Sequence, residues 1–178
     1  MALKVLVVDD EHANLQQILT YLKDLDIDLS YAMNGPDAIE LTINTLPDLI
    51  LLDVMLPGMD GFEICRRIRS DERVADIPVV FITARSEHED LLMGFEAGGQ
   101  DYLTKPFNPT ELKARVLMQL DRRYAFNNIK SRNLTLLREV DDLHSLLRSV
   151  ETDLEKLHKK ISKLQQDLRE SEPHTEGH

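Results

Sequence analysis

DLILLDVMLPGMDGFE, residues 48–63, is the stretch whose reading decides the fold. Asp48–Leu52 is a near-continuous apolar run, which suits a strand covered on both faces. An acid, Asp53, follows at once. Pro57-Gly58 then breaks the chain, and Gly61–Arg69 carries Phe62, Ile64, Cys65 and Ile68 at helical spacing. A buried strand, an acid at its end, a turn and a helix make one unit of an alternating α/β chain.

The alternation extends in both directions. Leu3–Val8 predicts a first buried strand, and Asn14–Leu25 a helix with Leu15, Ile18, Leu19, Leu22 and Leu25 on one face. Asp28–Met33 is a weaker second strand, and Asn34-Gly35-Pro36 a turn that sets proline near the start of the next helix. Pro78–Thr83 predicts the fourth strand, and Glu87–Ala97 a helix stopped by Gly98-Gly99. Asp101–Thr104 is a short fifth strand before Lys105-Pro106. Strands joined by helical crossovers pair in parallel, so a doubly wound, flavodoxin-like α/β sheet of five strands in the order 2-1-3-4-5 is expected. Ligands of such sheets sit beyond the carboxyl ends of the strands, at the switch point between the first and third.

The residues at those ends meet that demand. Asp9 and Asp10 close the first strand, Asp53 the third, Thr83 the fourth and Lys105 the fifth. Each has an ordinary explanation when taken alone, and Asp10 or Glu11 is expected to cap the next helix as well. Two carboxylates ~4 Å apart repel by ~4 kcal/mol at an effective dielectric near 20, so three gathered acids call for a cation. All-oxygen ligands with open positions suit Mg²⁺, which also holds phosphate. Lys105 adds a mobile point charge and Thr83 a hydroxyl donor. Asp53, on the central strand, is the candidate nucleophile, since a carboxylate accepts a phosphoryl group as an acyl phosphate.

With VLVVDDE at 5–11, DLILLDVMLPGMDGFE at 48–63, VVFITA at 79–84 and AGGQDYLTKPF at 97–107, residues 1–124 resemble the receiver domain of two-component response regulators. The resemblance implies Mg²⁺ held by Asp10, Asp53 and the backbone carbonyl of Met55, with Asp9 acting through water. It implies phosphoryl transfer to Asp53 from a histidine kinase or histidine phosphotransfer protein. Thr83 and Lys105 then follow the phosphoryl oxygens, Tyr102 changes rotamer as a readout, and Lys105-Pro106 is a cis peptide. Met55 and Arg85 would flank the phosphoryl group, where bulk or charge slows attack by water. Phosphatases of the haloacid-dehalogenase type place a second Asp two residues beyond the nucleophile as acid/base. Met55 stands there and cannot move protons, so a signalling switch rather than a turnover enzyme is expected.

From Thr110 no Gly or Pro occurs until Pro173, so one helix of about 60 residues, ~90 Å long, is predicted. Heptad a positions fall at Phe126, Asn133, Val140, Leu147, Leu154, Ile161 and Leu168, and d positions at Ile129, Leu136, Leu143, Val150, Leu157 and Leu164. About six sustained heptads predict a left-handed coiled coil over 125–170. Leucine-rich d positions and one asparagine at a match a parallel homodimer in which a buried Asn sets register, while Asn133 lying wet beside the domain is the alternative. Leu137 at e and Leu146 at g leave room for a higher oligomer or a docked partner. His144 and His158 lack the acidic residue and the downstream Thr or Asn before Pro that mark a phosphodonor helix. Two routes for the signal follow: a coil that relays it to an output domain, or an adaptor whose coil binds a partner protein.

Composition sets the outer limits. The 178 residues carry a net charge of −11, which argues against nonspecific contact with nucleic acid or an anionic membrane. One cysteine, Cys65, excludes an internal disulfide and is expected to be a buried helix residue. No apolar run approaches the ~18 residues of a membrane span, and the N-terminus opens directly on a strand, so a cytoplasmic location without signal peptide is expected. Residues 171–178 read as a disordered tail, and the closing Glu-Gly-His resembles part of a purification tag.

Overall fold

The computed structural model describes residues 3–84 and 88–171, and their side chains apart from 88–91 and 168–171. Strands and helices alternate along the chain: β1 (Leu3–Val8), α1 (His12–Leu22), β2 (Ile27–Ala32), α2 (Gly35–Thr45), β3 (Leu49–Asp53), α3 (Gly61–Ser70), β4 (Val79–Thr83), α4 (His88–Glu96), β5 (Asp101–Thr104) and α5 (Pro109–Ser171). All pairings are parallel and the order is β2-β1-β3-β4-β5. This is the doubly wound, flavodoxin-like sheet expected from the strand runs.

Alternation of side chains across the pleat divides the core into two. On one face Val5, Val7, Leu49, Leu51, Val80, Ile82 and Leu103 pack against Leu15, Ile18 and Leu22 of α1 and Leu112, Val116 and Leu120 of α5. On the other, Leu6, Val8, Ile50, Leu52, Val79, Phe81 and Tyr102 meet Phe62, Ile64, Cys65 and Ile68 of α3 and Ala38 of α2. Every residue of β3 and β4 is buried, so a polar group at their carboxyl ends sits on a rigid, dry platform. Cys65 is fully buried, and burial pushes its thiol up.

Local chemistry sets the helix starts. The Asn34 side chain accepts from the amide of Asp37 at 2.9 Å, Asp60 from that of Glu63 at 2.7 Å, and Asn108 from that of Glu111 at 2.9 Å. At α1 the expectation of a capping Asp10 or Glu11 is not met. Glu11 holds the cap position without a side-chain bond, and the Glu11 amide donates back to Asp9.

Some boundaries shift from the expected ones. α1 stops at Leu22, whereas the apolar spacing runs on to Leu25. Leu25 packs against the same cluster from a turn, so the periodic signal there reported burial rather than helix. β3 reaches one residue further than the apolar run, because Asp53 itself pairs with Ile82. The expected start of the fourth helix at Glu87, and Arg85 with it, lies outside the described residues, as do the tail from 172 and the side chain of Leu168.

The chain forms two compact units, Met1–Asn127 and Asn128–His178. The described part of the second is helical throughout, and its side chains to 167 are all exposed. Among the described residues no helix is long and apolar enough to cross a membrane. For the first unit, Leu51→Ala removes a fully buried side chain from β3. We expect a loss of about 2–5 kcal/mol, read from urea unfolding of the full chain.

Candidate functional site

The register places the polar strand ends side by side. Val8 pairs with Leu52, Asp53 with Ile82 and Thr83 with Thr104, so the residues that follow β1, β3, β4 and β5 open at one edge of the sheet. Carboxylate oxygens of Asp9, Asp10 and Asp53 lie within 4.8 Å of one another. Asp9 and Asp53 are buried, and Asp10 is more open.

Lys105 ties the cluster together. Its Nζ donates to Asp53 Oδ2 at 2.6 Å and to Asp9 Oδ2 at 2.8 Å. The remaining oxygens are held from their own sides: the Met55 amide donates to Asp53 Oδ1 at 2.9 Å, and the Glu11 amide and Asn14 Nδ2 donate to Asp9 Oδ1 at 2.9 and 3.1 Å. Burial pushes the Asp53 carboxyl up, against the bonds from Lys105 and Met55, and the neighbouring Asp9 adds to the rise. For Lys105, burial works against the ammonium, but the bonds to Asp53 and Asp9 outweigh it and hold the group above its ordinary range. Among the described residues three carboxylates face one ammonium here, a formal deficit of two positive charges. Hard, all-oxygen donors with that deficit fit a divalent cation of the Mg²⁺ type.

Thr83 ends β4 fully buried, and its carbonyl accepts the Lys105 amide at 2.8 Å. The Lys105–Pro106 bond is cis. Met55 is half exposed beside Asp53, and the bond it makes is through its amide. A hollow of about 310 Å³ opens next to Lys105, lined by Asn14, Gln17, Pro106 and Phe107. Of the residues singled out in the sequence, Asp9, Asp10, Asp53 and Lys105 therefore converge directly, with Thr83 and Met55 at their border.

Two glycines make the geometry possible, and neither was singled out for the site. A methyl on Gly61 would overlap the Asp53 carbonyl oxygen, so only glycine lets α3 start against the end of β3. On α4, a methyl on Gly94 would run into the Tyr102 ring and lie 3.3 Å from Phe81. Tyr102 stands two residues before Thr104 on β5 and is 7% exposed, with its ring centroid 5.5 Å from that of Phe81. Gly94 thus makes the slot that this ring occupies.

Fold and site together define a doubly wound α/β domain with an acidic, lysine-bridged cluster at its topological switch point. The chain belongs to the response regulator receiver domain family, which it matches over residues 5–117. It is 43% identical to the DNA-binding dual master transcriptional regulator RpaA of Synechocystis, over 67% of this chain and 49% of that protein. It is 46% identical to the response regulator PleD of Caulobacter vibrioides, over 65% of this chain and 26% of that protein. Among solved structures, the BeF3-activated DrrB receiver domain superposes with a TM-score of 0.61 at 38% identity, covering 68% of this chain and 99% of that one. The chain spans about half and about a quarter of the length of the two curated relatives. As a receiver domain it serves phosphorylation-dependent two-component signalling.

The Gly94 slot yields a test. Gly94→Ala overfills it, and we expect a loss of about 1–3 kcal/mol in urea unfolding. Most of that loss should be recovered in Gly94→Ala/Tyr102→Ala when each is referred to the matching single variant, because the two residues share one space. Simple additivity would contradict the packing.

Proposed function

We propose that Asp53 accepts a phosphoryl group from a phosphohistidine of a histidine kinase or histidine phosphotransfer protein and holds it as a signal. The observation that carries this reading is the single ammonium shared by Asp53 and Asp9 at the end of a fully buried strand. Lys105 opposes the rise that burial gives the Asp53 carboxyl and stands where phosphoryl oxygens would arrive. Asp53 Oδ2 attacks phosphorus, the P–N bond breaks, and its electron pair stays on the departing imidazole. The Met55 amide holds Oδ1 and so fixes which oxygen is offered. Lys105 turns from the carboxylates to a phosphoryl oxygen, and the Thr83 hydroxyl donates to another.

The cluster of Asp10 and Asp53, with the Met55 carbonyl and with Asp9 through water, would hold Mg²⁺, which neutralises charge on the transferring group when bound. Met55, an exposed thioether, offers no proton for release, so the domain stores the group rather than turning it over as an enzyme. Its bulk, and the charge of Arg85, would slow hydrolysis. The hollow beside Lys105 gives the donor a way in. Tyr102, leaving its slot, would report the change to the surface of α4. A cytoplasmic setting follows from that donor.

The second unit carries the signal onward in this reading, as a parallel homodimeric coiled coil. Leu136, Val140, Leu143, Leu147, Val150, Leu154, Leu157, Ile161 and Leu164 are each 46–60% exposed, one unbroken stripe that the exposed Leu137 and Leu146 widen. Burying such side chains is worth roughly 1.5–3 kcal/mol each, and a second copy offers the matching stripe. Asn133 then meets Asn133 of the other copy and fixes register. The coil delivers the signal to an output domain or a partner protein, and contact with nucleic acid or membrane by these residues is not part of the reading.

Acetyl phosphate with Mg²⁺ should add about 80 Da, the mass of HPO₃, to the wild type through acyl-phosphate formation. Asp53→Asn should show none; a label that persists there would remove the acceptor assignment. By light scattering the full chain should run as a dimer, and Leu147→Asp/Leu154→Asp as a monomer. A wild-type mass that stays monomeric at every concentration would remove the coil pairing.

A further inference from the structure

We propose that Asn14 is a positioning residue for the Asp9 carboxylate, and through it for cation binding at the acidic cluster. This rests on the reading of Asp9, Asp10 and Asp53 as a cation site. Asn14 lies in the first turn of α1, next to Leu15, whose face with Ile18 and Leu22 is buried against the sheet. Its amide does not serve the backbone of the helix. Nδ2 reaches back to Asp9 Oδ1 at 3.1 Å, where the Glu11 amide also donates at 2.9 Å. One oxygen of Asp9 is thereby turned toward α1 and doubly occupied. Oδ2 is the oxygen left for the site, and Lys105 sits on it at 2.8 Å.

The two side-chain donors to Asp9 differ in kind. Lys105 is a charged, flexible group that must leave the carboxylates when a phosphoryl oxygen competes for it. Its departure costs Asp9 a hydrogen bond at the moment the site needs that carboxylate held in place for the cation's water. Asn14 is neutral and short, anchored on a helix whose packing holds its Cα. It orients the carboxylate without neutralising it, so the full negative charge stays available to the cation. Outer groups that orient a metal's surroundings typically account for 10–100-fold in affinity, because they spare the site the cost of being ordered on binding. Asn14 also lines the hollow with Gln17, Lys105 and Phe107, so a donor entering there meets the group that sets Asp9.

The bland alternative is that this bond only steadies the start of α1. Helix propensity helps separate the two, since Leu is the better helix former. The test is Mg²⁺ affinity of the full chain by isothermal titration, for the wild type, Asn14→Leu, Asn14→Gln and Asp9→Asn, with urea unfolding in EDTA alongside. We expect Asn14→Leu to weaken Mg²⁺ about 10–100-fold, with metal-free stability unchanged. Asn14→Gln, which keeps the amide, should recover part of the loss. An unchanged Mg²⁺ affinity in Asn14→Leu, while Asp9→Asn is weakened, overturns the positioning role alone. A wild type that takes up no Mg²⁺ overturns the cation reading and this role together, while one that binds as well with Asp9→Asn overturns Asp9's part in the site and this role with it. A loss of affinity matched by an equal loss of metal-free stability assigns Asn14 to the helix start and also overturns the proposal.

Discussion

Lys105 stands between Asp9 and Asp53, and the rest of the domain is organised around that shared ammonium. Without a cation, two buried carboxylates this close would each pay desolvation and repulsion together, and one would take up a proton. With it, the rise that burial gives the Asp53 carboxyl is opposed on a strand whose every residue is buried. The bridge comes from far along the chain, since Lys105 follows β5 at the sheet edge while Asp53 ends β3, with β4 between them. A long, flexible side chain is what spans that gap. The same flexibility lets it exchange carboxylate for phosphoryl oxygen, which a shorter or planar cation would do less readily.

Steric gaps matter as much as charges. Gly61 lets α3 begin against the Asp53 carbonyl, and Gly94 opens α4 to the Tyr102 ring. The first keeps the nucleophile's strand end tightly bounded. The second links α4 to β5, the strand that leads into Lys105. A change at Lys105 and a change in the α4 surface therefore share a short physical path, through Tyr102 and the backbone contact of Lys105 with Thr83.

The second unit poses the opposite problem. Several of its polar side chains bond within the helix, as Lys156 does to Asp153, while its described apolar ones are exposed. Hydrophobic side chains recurring every 3.5 residues over many turns have no stabilising role on an isolated helix, and an isolated helix draws little stability from propensity alone. Pairing of two such stripes, as proposed, would resolve both shortages at once.

The sequence by itself was enough for the sheet, because period-two and unbroken apolar runs map directly onto pleat and burial. Strand order followed from crossover handedness, and the acids and lysine were placed by the ends of their strands. The long final helix was equally legible, from a run without Gly or Pro. Where the pattern reported burial rather than conformation, as at Leu25, it overran the element. The partners of each carboxylate oxygen were not legible. Asn14 looks like the start of a helix, Gly61 and Gly94 like ordinary glycines, and Met55 contributes an amide bond that no side-chain motif announces. Which oxygen of Asp9 or Asp53 remains available depends on directions in space between residues as distant in sequence as Asp9 and Lys105. Only the tertiary structure decides those directions, because hydrogen bonds and steric contact act over a few ångströms and carry no periodic trace along the chain.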